Sequence, residues 1–590
     1  MNVFTDGLTV LVNQAWTVFS VFITVIWGQV LIITLFKKIF KTQMTNSDYM
    51  SLGLAGWILP VILLSVLAFV GKFLFGEIAA IIISVFAVMA MVWVLFVGKL
   101  ERISLLTSLL FFVAFSVFLI LQLAFLKNMI LPSYFDSAEH YRIIKAVSEY
   151  DASSSSGFPI TNYYHVGFHL LSATLSNVFH LGIVDIMLVF GQVILAVLPF
   201  SLFFIIKRET ASNVAAVFTC LLAGVGWHMP SHVVDWGKYP ALFSLVGIHF
   251  VLCIAYLIYQ NNQTKAERIA LYGLLAFGVL TSVFLHTRSL IIFSFMGVSL
   301  LLTARWKRLP LLFQRIVVAL VVLLIAAEII AVQSTSVLPL LFETYVRRDM
   351  VATGLILFLL IFSVWAFPDL TFFLLLLFSL TIAGLFIPVT GFMGYGALTL
   401  LDRPYVQMLL YLPLSIFGGL GMAGLNQFLQ KFSRPIISAQ LTILLVFGLL
   451  VLNVKANHSF YPSDCCQIAS HDDLSAIHWM DKALSPDANV LIASANLFVT
   501  SLESPDALAG MDGGIWVTPL ISRTTIPMRS DLNFDQPEIH AEICQKKIGH
   551  IYAGGTSQSF NALQLDGHAE WYQIVFSLPA AKVYRVDGCK

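Results

Sequence analysis

Residues 105–126 read LLTSLLFFVAFSVFLILQLAFL, without one charge, and stretches of this kind recur along most of the chain. A helix needs about 17–25 apolar residues to cross the hydrocarbon core of a bilayer. Runs of that order fall near 8–36, 51–70, 78–98, 103–126, 183–206, 212–228, 240–259, 269–286, 289–304, 314–333, 351–367, 370–387, 405–424 and 436–454. That is about fourteen spans, or thirteen if Pro368–Asp369 lies within one kinked helix. Only 11% of the residues are charged, against about 25% in soluble proteins. The net charge of +1 argues against a nucleic-acid partner, which would call for a clustered basic surface. The first run, Gly7–Phe36, is too long for a signal-peptide core and is followed by Lys37, Lys38 and Lys41, so it reads as a span.

The texture changes at Lys455. Residues 1–455 form a polytopic α-helical membrane body, and 456–590 form a soluble domain with eight Lys/Arg against fifteen Asp/Glu. Within that domain 472–484 reads as an amphipathic helix with an Asp cap. Strands are expected at ANVLIAS, GIWVTPLISRTTIPM and KVYRV, and QPEIHAEICQKKIGHIYAGG reads as helix then strand, which makes a small α/β fold. GMDGGIW lacks the strand–loop–helix context of a phosphate loop. With the amino terminus outside, the cytoplasmic joints hold fifteen Lys/Arg and the opposite joints ten. That threading puts segment 127–182 and the C-terminal domain on one extracytoplasmic face. Cys465, Cys466, Cys544 and Cys589 fall in that domain, where disulfides persist. Pairing 465/466 with 544 and 589 would tie both ends of the domain, but spacing leaves the connectivity open.

Segment 127–182 concentrates the chemistry. In SYFDSAEHYRIIKAVSEY, helical spacing puts Asp136, Glu139, His140 and Ile143/Ile144 on one face, an amphipathic helix lying at the interface. After SSSSGFP comes TNYYHVGFHLLSATLSNVF, a short helix with His165 and His169 one turn apart. No third ligand sits beside that pair at metal-site spacing. Other joints on the same face supply WHMPSHVVDWGKYP with His228, His232, Asp235 and Lys238, then FLHTRSL with His286 and Arg288. ETYVRRDM adds Arg347 and Arg348, and TLLDRPYVQ adds Arg403. Ordinary anchoring at the lipid interface is the competing explanation for each basic residue.

A span, a loop with PSYFDSAEHY, two short interfacial helices, YHVGFH leading into the second, then a span ending in Lys/Arg: this arrangement resembles the GT-C superfamily of membrane glycosyltransferases. It is most similar to the bacterial branch related to protein mannosyltransferases and aminoarabinose transferases. The resemblance implies a sugar moved from a polyprenyl-phosphate donor to a protein, lipid or glycan acceptor, in a bacterial or archaeal plasma membrane. It departs in one respect: the acidic loop follows about four spans where many relatives have one, as an N-terminal extension of roughly three helices would produce.

Such transfer needs a base for the acceptor hydroxyl, positive charge for the leaving phosphate, and an apolar groove for the lipid. Asp136 matches the acidic-loop position and is the expected base, with Glu139 and His140 as helpers. If a divalent cation such as Mg or Mn takes part, Asp136 becomes its ligand. His165, His169, Asp235, Lys238, Arg288, Arg347, Arg348 and Arg403 are the expected substrate contacts, with Arg403 and Arg288 on the phosphate. Two other classes compete. A transporter or lipid flippase would show repeats and polar residues at mid-membrane, and an O-antigen-ligase-like polymerase would need a larger loop than 388–404.

Overall fold

The computed structural model describes residues 2–40, 44–75, 82, 83, 85, 89, 104–150, 165–332, 343–389, 398–463, 466–496 and 508–589. Among them nine helices are long and apolar enough to cross a membrane, including Ala15–Ile39, Leu105–Leu126, Tyr239–Gln260, Ser289–Trp306 and Pro435–Asn457. Shorter apolar helices cover Asn213–Val225, Leu311–Ala327, Met350–Ala366 and Pro368–Ala383. The span expected near 78–98 falls almost wholly outside the described residues. Leu105, Leu301, Leu312 and Leu444 stand 84%, 70%, 67% and 74% exposed on the bundle's surface. In water that apolar surface would be costly, whereas lipid solvates it.

Two expectations change in detail, and the alternative of one kinked helix at Pro368 falls away. The run 8–36 is two helices, Asn2–Asn13 and Ala15–Ile39. The break at Gln14 lets its amide donate to Asp185 at 3.1 Å, while Asp6 holds the first helix to Lys127 at 2.7 Å and to the Tyr461 hydroxyl at 2.6 Å. At 212–228 the helix is only Asn213–Val225, which ends where the chain turns toward the loop after Gly226. Pro368 does not sit in a kinked helix. Phe367 is non-helical, and Pro368 starts a new helix at a position where its missing N–H costs nothing.

The C-terminal part is built on a six-stranded sheet ordered β4-β3-β6-β8-β7, with β5 also on β3. The strands are β3 Asn489–Asn496, β4 Leu508–Gly510, β5 Thr524–Arg529, β6 His550–Gly554, β7 Tyr572–Leu578 and β8 Ala581–Val586; a separate hairpin in the helical body pairs β1 Pro388–Val389 with β2 Leu398–Thr399. β3 runs parallel to β5 and β6, and the remaining pairs are antiparallel. The stretch GIWVTPLISRTTIPM is strand only in its second half. Asp512 and the glycine pair nucleate a short 3-10 turn, Gly513–Trp516, that continues as helix Val517–Ile521. The helix His471–Ala483 is capped by Ser470 in a capping box with Asp473, not by an aspartate. Cys544 bonds Cys589, so the arrangement joining 465/466 to those two is not the one formed.

Between the two parts lies the helix Tyr134–Ser148, and both of its sides are covered. His140, Ile143 and Ile144 are buried toward the helical body, with Ser137 beneath Gly237. On the other side Leu131, Ala138 and the partly buried Tyr141 join a cluster with Ile477, Trp516, Val517 and Ile521 of the C-terminal part. Its two apolar flanks are thus covered, and the strip carrying Glu139 and Arg142 stays exposed.

Candidate functional site

Several chain segments meet beside the start of this helix. Lys238 is placed by Gly237, which stops the 3-10 turn Ser231–Trp236 at φ +64 and lets the helix Tyr239–Gln260 begin. Gly237 also approaches Ser137 so closely that a Cβ would lie 2.6 Å from its hydroxyl. Arg403 opens the helix Arg403–Leu409 because Asp402 caps it, accepting the Tyr405 N–H at 3.0 Å, with Pro404 in the first turn. Tyr134, at φ +67, is a bulky residue in the left-handed region, a conformation that persists only where surroundings impose it.

Asp136 and Lys238 form an ion pair, and Arg288 pairs with Asp402 at 2.6 Å. Burial works against the Lys238 charge, but Asp136 and then Asp402 outweigh it and hold the ammonium above its ordinary value. Arg403 is half-buried and makes no ion pair among the described residues, yet it acts on Tyr134 together with Asp136 and Lys238. Three cations and two carboxylates leave the constellation one net positive charge.

Beside these charges lie four buried or half-buried imidazoles. His140 Nδ1 and His169 Nε2 are 3.0 Å apart, the His165 and His286 rings 4.3 Å, and His286 stacks on Tyr405 at 4.8 Å. Desolvation, reinforced by neighbouring imidazoles and by Lys238 and Arg288, keeps them neutral. It takes His165 and His169 down to about 3, and His140 and His286 well below their usual range. Neutral imidazoles can donate and accept at once, which suits hydroxyl groups.

The structure thus brings together Asp136, His140, His165, His169, Lys238, Arg288 and Arg403. Other expected residues lie elsewhere. Glu139 is exposed and clasped by Arg142 at 2.8 and 2.6 Å. Asp235 accepts from His232 at 2.6 Å and from the Ser463 N–H at 3.1 Å. Arg348 faces His228 at 2.5 Å, and Arg347 pairs with Glu343 in the open at 2.9 Å. Asp402, Tyr405 and Tyr134 are members the sequence reading did not single out. Asp402 had a readable signal as a cap before a proline-bearing helix start, but its pairing with Arg288 across 114 positions had none.

Below the charges the body is apolar. A narrow cleft runs past Ile292, one turn from Ser289, and Leu409, one turn from Tyr405. A second narrow cleft lies past Leu252, Leu300 and Leu374.

A Mg or Mn ion would want several oxygen donors at one point. Among the described residues no three acidic, histidine or cysteine donors converge at Asp136; the one such group is His540, Cys544 and Cys589, whose sulfurs are joined to each other. The described residues do not by themselves assemble a cation site here. No family model matches the chain, and no curated protein is similar enough to stand as a relative.

Proposed function

We propose that the chain is a GT-C-like membrane glycosyltransferase that moves a sugar from a polyprenyl-phosphate donor to an acceptor hydroxyl on the extracytoplasmic side. The observation that carries the reading is the Asp136–Lys238 pair beside Arg403, a guanidinium with no carboxylate partner among the described residues, above clefts lined by apolar side chains. In this reading the lipid chain occupies the clefts and the phosphate meets Arg403, with Lys238 and Arg288 adjacent. Asp136 takes the proton of the acceptor hydroxyl, whose oxygen bonds to the anomeric carbon. The bond from that carbon to the phosphate oxygen breaks, and its electron pair leaves on the phosphate, where guanidinium charge stabilises it. Attack opposite the leaving group inverts the anomeric configuration. The neutral histidines hold sugar hydroxyls without adding charge.

The purified chain in lipid nanodiscs, supplied with polyprenyl-phosphate sugars and candidate acceptors, tests this. Asp136→Asn should lower transfer about 10²–10⁴-fold at unchanged yield and thermal stability, the range for loss of a general base. Arg403→Ala should mainly raise the donor KM. Transfer at the parent rate by Asp136→Asn removes the assignment.

A further inference from the structure

Asp473 and Asp512 are 2% and 0% exposed inside the α/β part. Asp473 accepts from the Ser470 N–H and hydroxyl, each at 2.6 Å, and from the Tyr552 hydroxyl. Asp512 accepts from the Gly514 N–H at 3.0 Å, the Gly554 N–H at 3.3 Å and the Ser559 hydroxyl. The titratable groups facing Asp512 are Asp473 from helix His471–Ala483 and Tyr552 from β6, and among the described residues neither acid has a cationic partner. Burial, with Asp473 beside it, pushes the Asp512 carboxyl up to about 7. A carboxylate beside a buried acid opposes that acid's ionisation.

The pair is wired to the site. Asp512 caps the turn Gly513–Trp516, and a Cβ on Gly513 would lie 2.8 Å from the Asp473 side chain. Three residues on, Trp516 meets the edge of Tyr141 at 5.7 Å, and the Pro519 carbonyl accepts from Lys145 at 3.4 Å. Tyr141 and Lys145 belong to the helix that presents Asp136 and His140.

We propose that Asp512, set against Asp473, is a proton-sensitive latch: while Asp512 holds a proton, segment 513–521 braces the Tyr134–Ser148 helix, and loss of that proton loosens both. As regulation of sugar transfer this rests on the function proposed above; the coupling between pair and helix does not. A free aspartate titrates near 4, so the folded segment binds the extra proton between about 4 and 7. The stability this confers is complete below that window and declines as pH rises through it.

Hydrogen exchange of the full chain in nanodiscs between pH 5 and 8, corrected for intrinsic rates, reads this directly. Peptides from 134–148 and 513–521 should lose protection at least tenfold across the window, while 239–260 stays level. In Asp512→Asn that pH dependence should vanish. Asp473→Asn, which removes the opposing charge, should move its midpoint to lower pH, and serves where the first variant fails to fold. A flat parent profile, a retained dependence in Asp512→Asn, or an unmoved midpoint in Asp473→Asn overturns the proposal. None of these readouts involves transfer, so they stand whatever Asp136→Asn does.

Discussion

Gly237 is the residue at which the smallest chemical change near the site should matter most. Its φ of +64 disfavours any side chain, and an added methyl would meet the Ser137 hydroxyl at 2.6 Å. Gly237→Ala should therefore cost about 1–3 kcal/mol and pull Lys238 away from Asp136. Differential scanning fluorimetry should show a lowered Tm, and transfer should fall along with it; an unchanged Tm would mean the loop relaxes freely. Residues such as Lys238 and Arg403 were legible beforehand because a base at the end of an apolar run is conspicuous. Asp402 and the sparing of Glu139 were not, since helical spacing gives a direction for a side chain but not which partner waits there. Arg142, three positions along, simply reaches Glu139 first.

At the scale of elements, close packing between helices depends on small residues, because lipid offers no hydrophobic drive for association. A Cβ at Gly421 would lie 2.2 Å from the Leu359 carbonyl, and one at Gly424 would lie 2.4 Å from that of Phe362, so Tyr411–Leu429 and Met350–Ala366 touch backbone to backbone. Gly421→Leu should force these helices apart at a cost of roughly 1–3 kcal/mol, the usual range for overpacking. A thermal-aggregation assay in detergent should place the variant several degrees below the parent, whereas Gly448→Leu, where nothing lies within 4 Å, should match the parent. Most helices were readable from apolar run length alone. The Tyr134–Ser148 helix was readable as amphipathic, yet periodicity could not report that its second side would be buried by residues nearly 400 positions later, such as Trp516. The strand misread at GIWVTPL has a local cause: β-branched residues favour strands, but an aspartate followed by two glycines starts a turn first.

For the molecule as a whole, the Cys544–Cys589 bond closes 45 residues of the α/β part. By chain-entropy reasoning it contributes roughly 4 kcal/mol. Cys544→Ser should lower the unfolding midpoint of that part while leaving the helical body's own transition in place, as two-step thermal unfolding by circular dichroism would display. The division into an apolar body and a polar tail was plain from composition, because lipid and water select different residues. How the halves meet was not, since their interface is made of ordinary core residues on both sides.

That interface has an evolutionary reach. Leu131, Ala138 and Tyr141 are finished off by side chains that belong to the tail. A lineage that exchanged its tail for an unrelated module would leave a greasy flank open exactly where its acid is displayed. A substitution at Trp516 should therefore call for a compensating one at Tyr141, whose ring it meets at 5.7 Å.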